Sequence, residues 1–143
     1  MNDEHFRKLE RMYHEAPINQ QYEGELTVAE GTAELALPVS EEFFIPNGTP
    51  HGSVYFKALD DAAYFAANSL VDDVFCLTTD FNVYFERPVS EGHINAAGRV
   101  VNDNPNQLIA EAVATDDDGN ELARGSGTFR RSNTELSPEL GYE

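Results

Sequence analysis

Residues 47–70 read NGTPHGSVYFKALDDAAYFAANSL, and the fold turns on them. The stretch opens in a loop of breakers, Pro46-Asn47-Gly48-Thr49-Pro50, and passes directly into a long apolar segment. Over residues 51–70 the apolar positions Val54, Tyr55, Phe56, Ala58, Leu59, Ala62, Ala63, Tyr64, Phe65, Ala66 and Ala67 nearly encircle a helix. A helix that is apolar on all sides is one that protein encloses. Its alanines let a sheet approach its backbone closely.

Working outward, the downstream chain reads as four strands, near residues 76–87, 92–102, 107–116 and 121–131. Phe81, Val83 and Phe85 alternate along the first. The runs Asn102-Asp103-Asn104-Pro105-Asn106 and Asp117-Asp118-Gly119-Asn120 are hairpin signals. Upstream, two strands are expected near 20–28 and 32–38, with Gly31 at the turn and Ala33, Leu35 and Leu37 facing one way. Before them, residues 2–14 form an amphipathic helix with Phe6, Leu9 and Tyr13 on one face, ending ahead of Pro17. Residues 132–143 read as a polar, frayed tail. The pattern is a single α+β domain over residues 1–143, with 1–17 as its helical lead-in. About six antiparallel strands curl around one long central helix. One copy leaves a sheet edge and a helix flank uncovered, which predicts a homo-oligomer, a dimer or a tetramer.

Composition bounds the function. Hydrophobic residues make up 41% of the chain, which excludes general disorder. No apolar run is long enough to span a bilayer, and the N-terminus carries no apolar core of a secretory signal. The lone cysteine, Cys76, excludes an intrachain disulfide. Together these features predict a cytoplasmic protein. The net charge of −17, from 9 basic and 26 acidic residues, argues against nucleic acid as a partner. Only Lys8 and Lys57 are lysines. An acid-rich, lysine-poor surface suits a salt-rich cytoplasm, where ions screen self-repulsion, so the composition fits a halophilic source and equally an ordinary acidic protein.

Two features carry chemistry. Asp60 and Asp61 lie in the middle of the apolar helix, where an unpaired carboxylate is costly. Lys57 is four residues before Asp61, so those two are placed to pair. Asp60 lies about 100° further round the helix and cannot share that face. The second feature is Asn47-Gly48-Thr49-Pro50-His51-Gly52-Ser53. It delivers a helix N-terminus whose free N–H groups suit a developing oxyanion, and it serves equally as a turn and cap. His51 is a candidate base or a structural residue. His5, His14, His51 and His93 show no metal-ligand spacing, so no metal is expected. Cys76 sits among apolar residues and reads as a buried thiol. Asp116-Asp117-Asp118 reads as a solvated hairpin.

The segment from Asn47 to Leu70 resembles the signature of hotdog thioesterases of the phenylacetate-degradation, PaaI-like, type. In that signature an Asn-containing loop precedes His-Gly-Gly, and an acidic residue follows nine positions after the histidine, here Asp60. Downstream, TTDFNVYFERPVSEGHINAAGRVV and GNELARGSGTFRR are similar to the family's strand into Arg-Pro and its last hairpin. The likeness covers roughly residues 20–131. It implies a hotdog fold and an acyl-CoA thioesterase with no metal or redox cofactor, coenzyme A being part of the substrate. It implies Asp60 as the catalytic carboxylate, activating water or attacking the thioester itself. It implies Gly52 N–H as oxyanion donor, Asn47 as a positioning group and His51 as a brace. It further implies Thr78, contributed by a partner subunit, as the group that orients water, with Thr79 as the neighbouring candidate.

Ser53 replaces the family's second glycine and joins Asp61 and Tyr64 as a candidate substrate contact. Tyr55, Phe56 and Phe65 are acyl-pocket or core residues. Arg87, and beside it Arg130 and Arg131, are the candidates for the phosphates of coenzyme A. The rival reading is a non-catalytic acyl-CoA-binding module. A hotdog hydratase ranks last, because no histidine follows Asp60 in the helix.

Overall fold

The computed structural model describes residues 3–143; Asn2, the first residue of the expected N-terminal helix, lies outside the described residues. In chain order the elements are α1 (Asp3–Glu15), α2 (Pro17–Gln20), β1 (Glu25–Ala29), β2 (Thr32–Pro38), α3 (Gly52–Ser69), β3 (Val74–Phe85), β4 (His93–Asp103), β5 (Leu108–Thr115) and β6 (Glu121–Glu135). The six strands form one antiparallel sheet in the order β1-β2-β4-β5-β6-β3, and it curves around α3. This is the hotdog arrangement.

The sheet closes on α3 because the facing residues are small. Ala58, Ala62, Ala63, Ala66 and Ala67 are completely buried. A Cβ placed on Gly98 of β4 would lie 2.3 Å from the carbonyl oxygen of Ala62, so only glycine lets β4 lie this close to the helix. Alternating residues of the other strands complete the core, Leu35 and Leu37 from β2, Leu108 and Ala110 from β5, Phe129 from β6. Full burial of a leucine is worth roughly 1.5–3 kcal/mol. The expected enclosure of α3 is incomplete along one stripe. Ser53 and Phe56 are exposed, and Lys57, Asp60, Asp61 and Tyr64 are only partly buried. Their spacing of three and four residues is one face of a helix.

The structure departs from the sequence reading at both ends. Residues 20–24 are not strand. Pro17 starts a short helix, where its fixed φ is favourable, and the chain then turns through Glu23 at φ 54°. The tail is not frayed. β6 runs on to Glu135, which pairs with Val74, and Leu136, Leu140 and Tyr142 pack on the core. Tyr142 hydroxyl lies 2.8 Å from His5 Nδ1, and His5 Nε2 donates to Asn68 O at 3.0 Å. The buried His5 thus ties tail, first helix and α3 together. Among the described residues no helix is long and apolar enough to cross a membrane.

Candidate active site

The loop of residues 46–50 bends back on itself and launches α3. Ile45 N–H donates to Thr49 O, and Asn47 Oδ1 accepts from Thr49 Oγ1 at 2.7 Å. Asn47 thereby engages its side-chain carbonyl inside the loop, and its amide group has no acceptor among the described residues. His51 is the N-cap of α3. Its Nδ1 accepts from Ser53 N–H at 3.0 Å and lies 2.9 Å from Ser53 Oγ. Val54 N–H goes to His51 O. Gly52 N–H is left without an acceptor among the described residues. A helix start carries a partial positive charge, so this unused donor faces whatever negative group arrives. Gly52 is not required for packing within the chain, since a Cβ there would make ordinary contact with Phe85 at 3.4 Å.

Asp60 and Asp61 are adjacent on α3 and differently held. Thr78 Oγ1 donates to Asp60 Oδ1 at 2.9 Å; Asp60 Oδ2 has no partner among the described residues. Burial raises the Asp60 pKa above its ordinary value, against the Thr78 hydrogen bond and the Lys57 charge, which both lower it. Asp61 pairs with Lys57 as its spacing predicts, Nζ to Oδ2 at 2.7 Å, and Lys57 also donates to Asn19 Oδ1 at 2.6 Å. Burial pushes the Asp61 carboxyl up to about 6 even so.

Thr78 reaches Asp60 within the one chain. Thr79 turns to β6, where its hydroxyl meets Thr128 Oγ1 at 2.8 Å. The register shift between Thr78 and Asp80 separates the two threonines.

A cavity of about 350 Å³ opens between the α3 stripe, β3, the N-terminal helices and the tail. Ile18, Tyr64, Phe75, Leu77 and Leu140 give it apolar walls, and Asn19, Lys57, Asp60, Asp61 and Thr78 its polar groups. Tyr64 spends its hydroxyl on Cys76 O at 2.7 Å and presents its ring. Cys76 is buried, and burial raises its thiol to about 12, far from a thiolate nucleophile. Sequence reasoning missed Ile18, Asn19 and Leu140, because nothing local in 17–20 or 136–142 points toward Asp60.

Of the arginines proposed for phosphates, Arg131 is engaged by Asp103 and Asn104 O. Arg87 and Arg130 are exposed and make no side-chain hydrogen bond or ion pair among the described residues, though the Arg87 charge reaches Asp116.

Residues 47–123, more than half of the chain, match the family model of the thioesterase superfamily. The chain is 27% identical over 108 residues to the Saccharolobus solfataricus protein named "Putative esterase SSO1253", covering 73% of this chain and 72% of that one. Among solved structures it is similar to the Escherichia coli PaaI protein of the phenylacetic acid degradation operon. The TM-score is 0.86 at 16% identity, over 94% of this chain and 98% of that one. It is also similar to a thioesterase family protein from Silicibacter pomeroyi, with TM-score 0.79, 25% identity and coverage of 87% and 95%. The long helix and β3 to β5 fall within the matched segment, and the protein is a hotdog-fold member of the thioesterase superfamily, a hydrolase of the thioesterase and esterase class.

Proposed function

We propose that the protein hydrolyses acyl-CoA thioesters to free acid and coenzyme A, with Asp60 as the catalytic carboxylate. The observation that carries this reading is the state of Asp60. One oxygen is held by Thr78, the other has no partner among the described residues, and the carboxylate borders a cavity with apolar walls. In the reaction, Asp60 takes a proton from water as the water oxygen bonds to the thioester carbonyl carbon. The carbonyl oxygen becomes an oxyanion, and its collapse breaks the C–S bond as the proton passes from Asp60 to the departing sulfur, which leaves the free acid, the thiol and the ionised Asp60. Thr78 fixes the carboxylate that receives the proton.

The oxyanion donor is Gly52 N–H, and it comes from a second copy of the chain. Gly52 and Asp60 are eight residues apart on one helix, about 12 Å along its axis. One small carbonyl cannot touch both. A second copy whose α3 runs antiparallel brings its own Gly52 to the first copy's Asp60. The division is therefore Asp60 with Thr78 from one chain, and Gly52 with the Asn47–His51 loop from the other. Two features support such a dimer. β3 is an edge strand, and Leu77 (51% exposed), Tyr84 (73%), Phe85 (59%) and Phe56 (39%) are open on β3 and the nearby face of α3. Arg87 and Arg130, exposed and without a hydrogen bond or ion pair among the described residues, are the candidates for the phosphates of coenzyme A, and molar salt screens the repulsion between a −17 chain and a polyanion.

The test is thiol release from a panel of acyl-CoAs, at low and molar salt, by wild type, Asp60→Asn and Asp61→Asn. Asp60→Asn is expected to lose about 10²–10⁴-fold while folded, and Asp61→Asn far less. Acyl-CoA binding by folded wild type with no thiol released would make the protein a binding module instead.

A further inference from the structure

Ser53 stands where the family signature has its second glycine, and its hydroxyl has a partner that a glycine could not serve. The His51 backbone is fixed without it. His51 N–H donates to Phe43 O at 2.8 Å, and His51 O accepts from Val54 N–H at 2.9 Å. Among the described residues only Ser53 bonds to the His51 ring. Ser53 N–H donates to Nδ1 at 3.0 Å, and Ser53 Oγ lies 2.9 Å from the same nitrogen. A ring nitrogen that accepts an N–H carries no proton, so the neutral ring keeps its proton on Nε2. A glycine at position 53 would offer the backbone donor and nothing else. Protonation of Nδ1 would then set two N–H groups against each other and leave a cation at the positive end of a helix. A hydroxyl both donates and accepts. Beside the neutral ring it shares Nδ1 with the backbone donor. Beside the protonated ring it turns and accepts Nδ1–H in a charge-assisted bond. Gly52, the donor to the oxyanion, lies between these two residues.

We propose that Ser53 is a positioning residue. Its hydroxyl holds the His51 ring on the first turn of α3 whether the ring is neutral or protonated, and so keeps the Gly52 N–H in place in acid. This rests on the reading of Gly52 as the oxyanion donor. Without the hydroxyl, a protonated His51 leaves the cap, the residue 53 N–H loses its acceptor and the first turn frays around Gly52. No other group does the same work. The segments packed against this corner are residues 41–44, through Phe43 O, and the end of β3, through the Phe85 ring. Their charged residues and the next one are Glu41, Glu42, Glu86 and Arg87, and the nearest charge on α3 is Lys57. Among the described residues none of them bonds to His51, and Lys57 is engaged by Asn19 and Asp61.

The test follows kcat/KM for one acyl-CoA between about pH 5 and 8, the range in which histidine side chains change charge. It compares wild type, Ser53→Ala and Ser53→Thr. The titration of Asp60 is common to the three and cancels in their ratios. Ser53→Ala is expected to fall below wild type by about twofold at the alkaline end and by about tenfold at the acid end. Ser53→Thr keeps a hydroxyl, and its ratio to wild type is expected to stay constant across the range. Ser53→Ala at a constant fraction of wild type throughout would mark the hydroxyl as a plain cap or a substrate contact, and overturns the proposal. A second readout does not depend on turnover. In Asp60→Asn, with and without Ser53→Ala, nuclear magnetic resonance follows the Gly52 amide while the His51 ring nitrogens report uptake of the proton. The amide is expected to move little with Ser53 present and to move with the His51 titration once Ser53→Ala is added; equal movement in both overturns the proposal. If wild type releases no thiol at any pH, the hydrolytic reading fails, and this titration alone decides the role of Ser53.

Discussion

The two edges of the sheet are finished differently. At the β1 edge, Arg7 Nη2 donates to Val28 O at 2.6 Å, Val28 N–H donates to Glu10 Oε2 at 2.8 Å, and the two side chains pair with each other at 2.9 Å. The first helix thus covers the backbone groups that would otherwise recruit another strand. At the β3 edge, side chains of α3 and β6 satisfy only the beginning. Asn68 takes Val74 O and Cys76 N–H, Ser132 takes Phe75 O and Tyr64 takes Cys76 O. From Leu77 to Phe85 no side chain among the described residues bonds to the backbone of β3, and large apolar side chains stand open there. One edge is covered within the chain, and the other, open among the described residues, is where the proposed dimer would form. The open edge is also the one beside Thr78 and Asp60, so assembly and chemistry share a boundary.

Charging the open edge breaks the comparison most severely. Asn82 and Tyr84 are exposed neighbours on one side of β3, and Asn82→Asp with Tyr84→Asp is expected to give a folded monomer. Its thioesterase activity should fall by about 10²–10³-fold, the usual cost of losing an oxyanion donor. Light scattering together with thiol release checks this; a fully active monomer would refute the shared site. A smaller effect is expected from Thr78→Val. Losing a hydrogen bond to the ionised carboxylate should lower kcat/KM at neutral pH by about tenfold. Because that bond favours the charged form, its removal raises the Asp60 pKa further, and the acid limb of the pH–rate profile moves to higher pH. An unmoved limb would show that the profile does not report Asp60. The smallest effect on turnover comes from the closed edge. Glu10→Leu should cost about 1–3 kcal/mol of stability by leaving Val28 N–H unpaired, seen in urea unfolding, with kcat/KM unchanged.

What could be read from the sequence was what rests on local pattern. The long helix before Leu70, the Asn- and Asp-rich hairpins and the four-residue spacing of Lys57 and Asp61 appear in the structure as read, although α3 keeps one stripe open. What could not be read depends on partners remote in sequence. Leu136, Leu140 and Tyr142 look like a polar tail until His5 and the first helix supply their contacts. Asn19 has no local mark of its bond to Lys57. Thr78 and Thr79 stay ambiguous without the β3 register shift, since one residue decides which face of a strand a side chain takes. The separation of Gly52 from Asp60 was legible in the residue count itself, because eight helical residues already exceed the reach of one carbonyl.

The shared site is tested most directly by mixing two inactive proteins and following thiol release. One carries Asp60→Asn. The other carries Gly52→Pro, which removes the N–H at a helix position proline accepts, after a His51 whose φ −58° and ψ 148° already suit it. When the two are unfolded and refolded together, each mixed dimer holds one site with both native groups and one with neither. Random pairing then restores about a quarter of wild-type activity. Recovery near that level is the predicted result; a refolded mixture as inactive as its parents, with mixed dimers present, would contradict a site built from two chains.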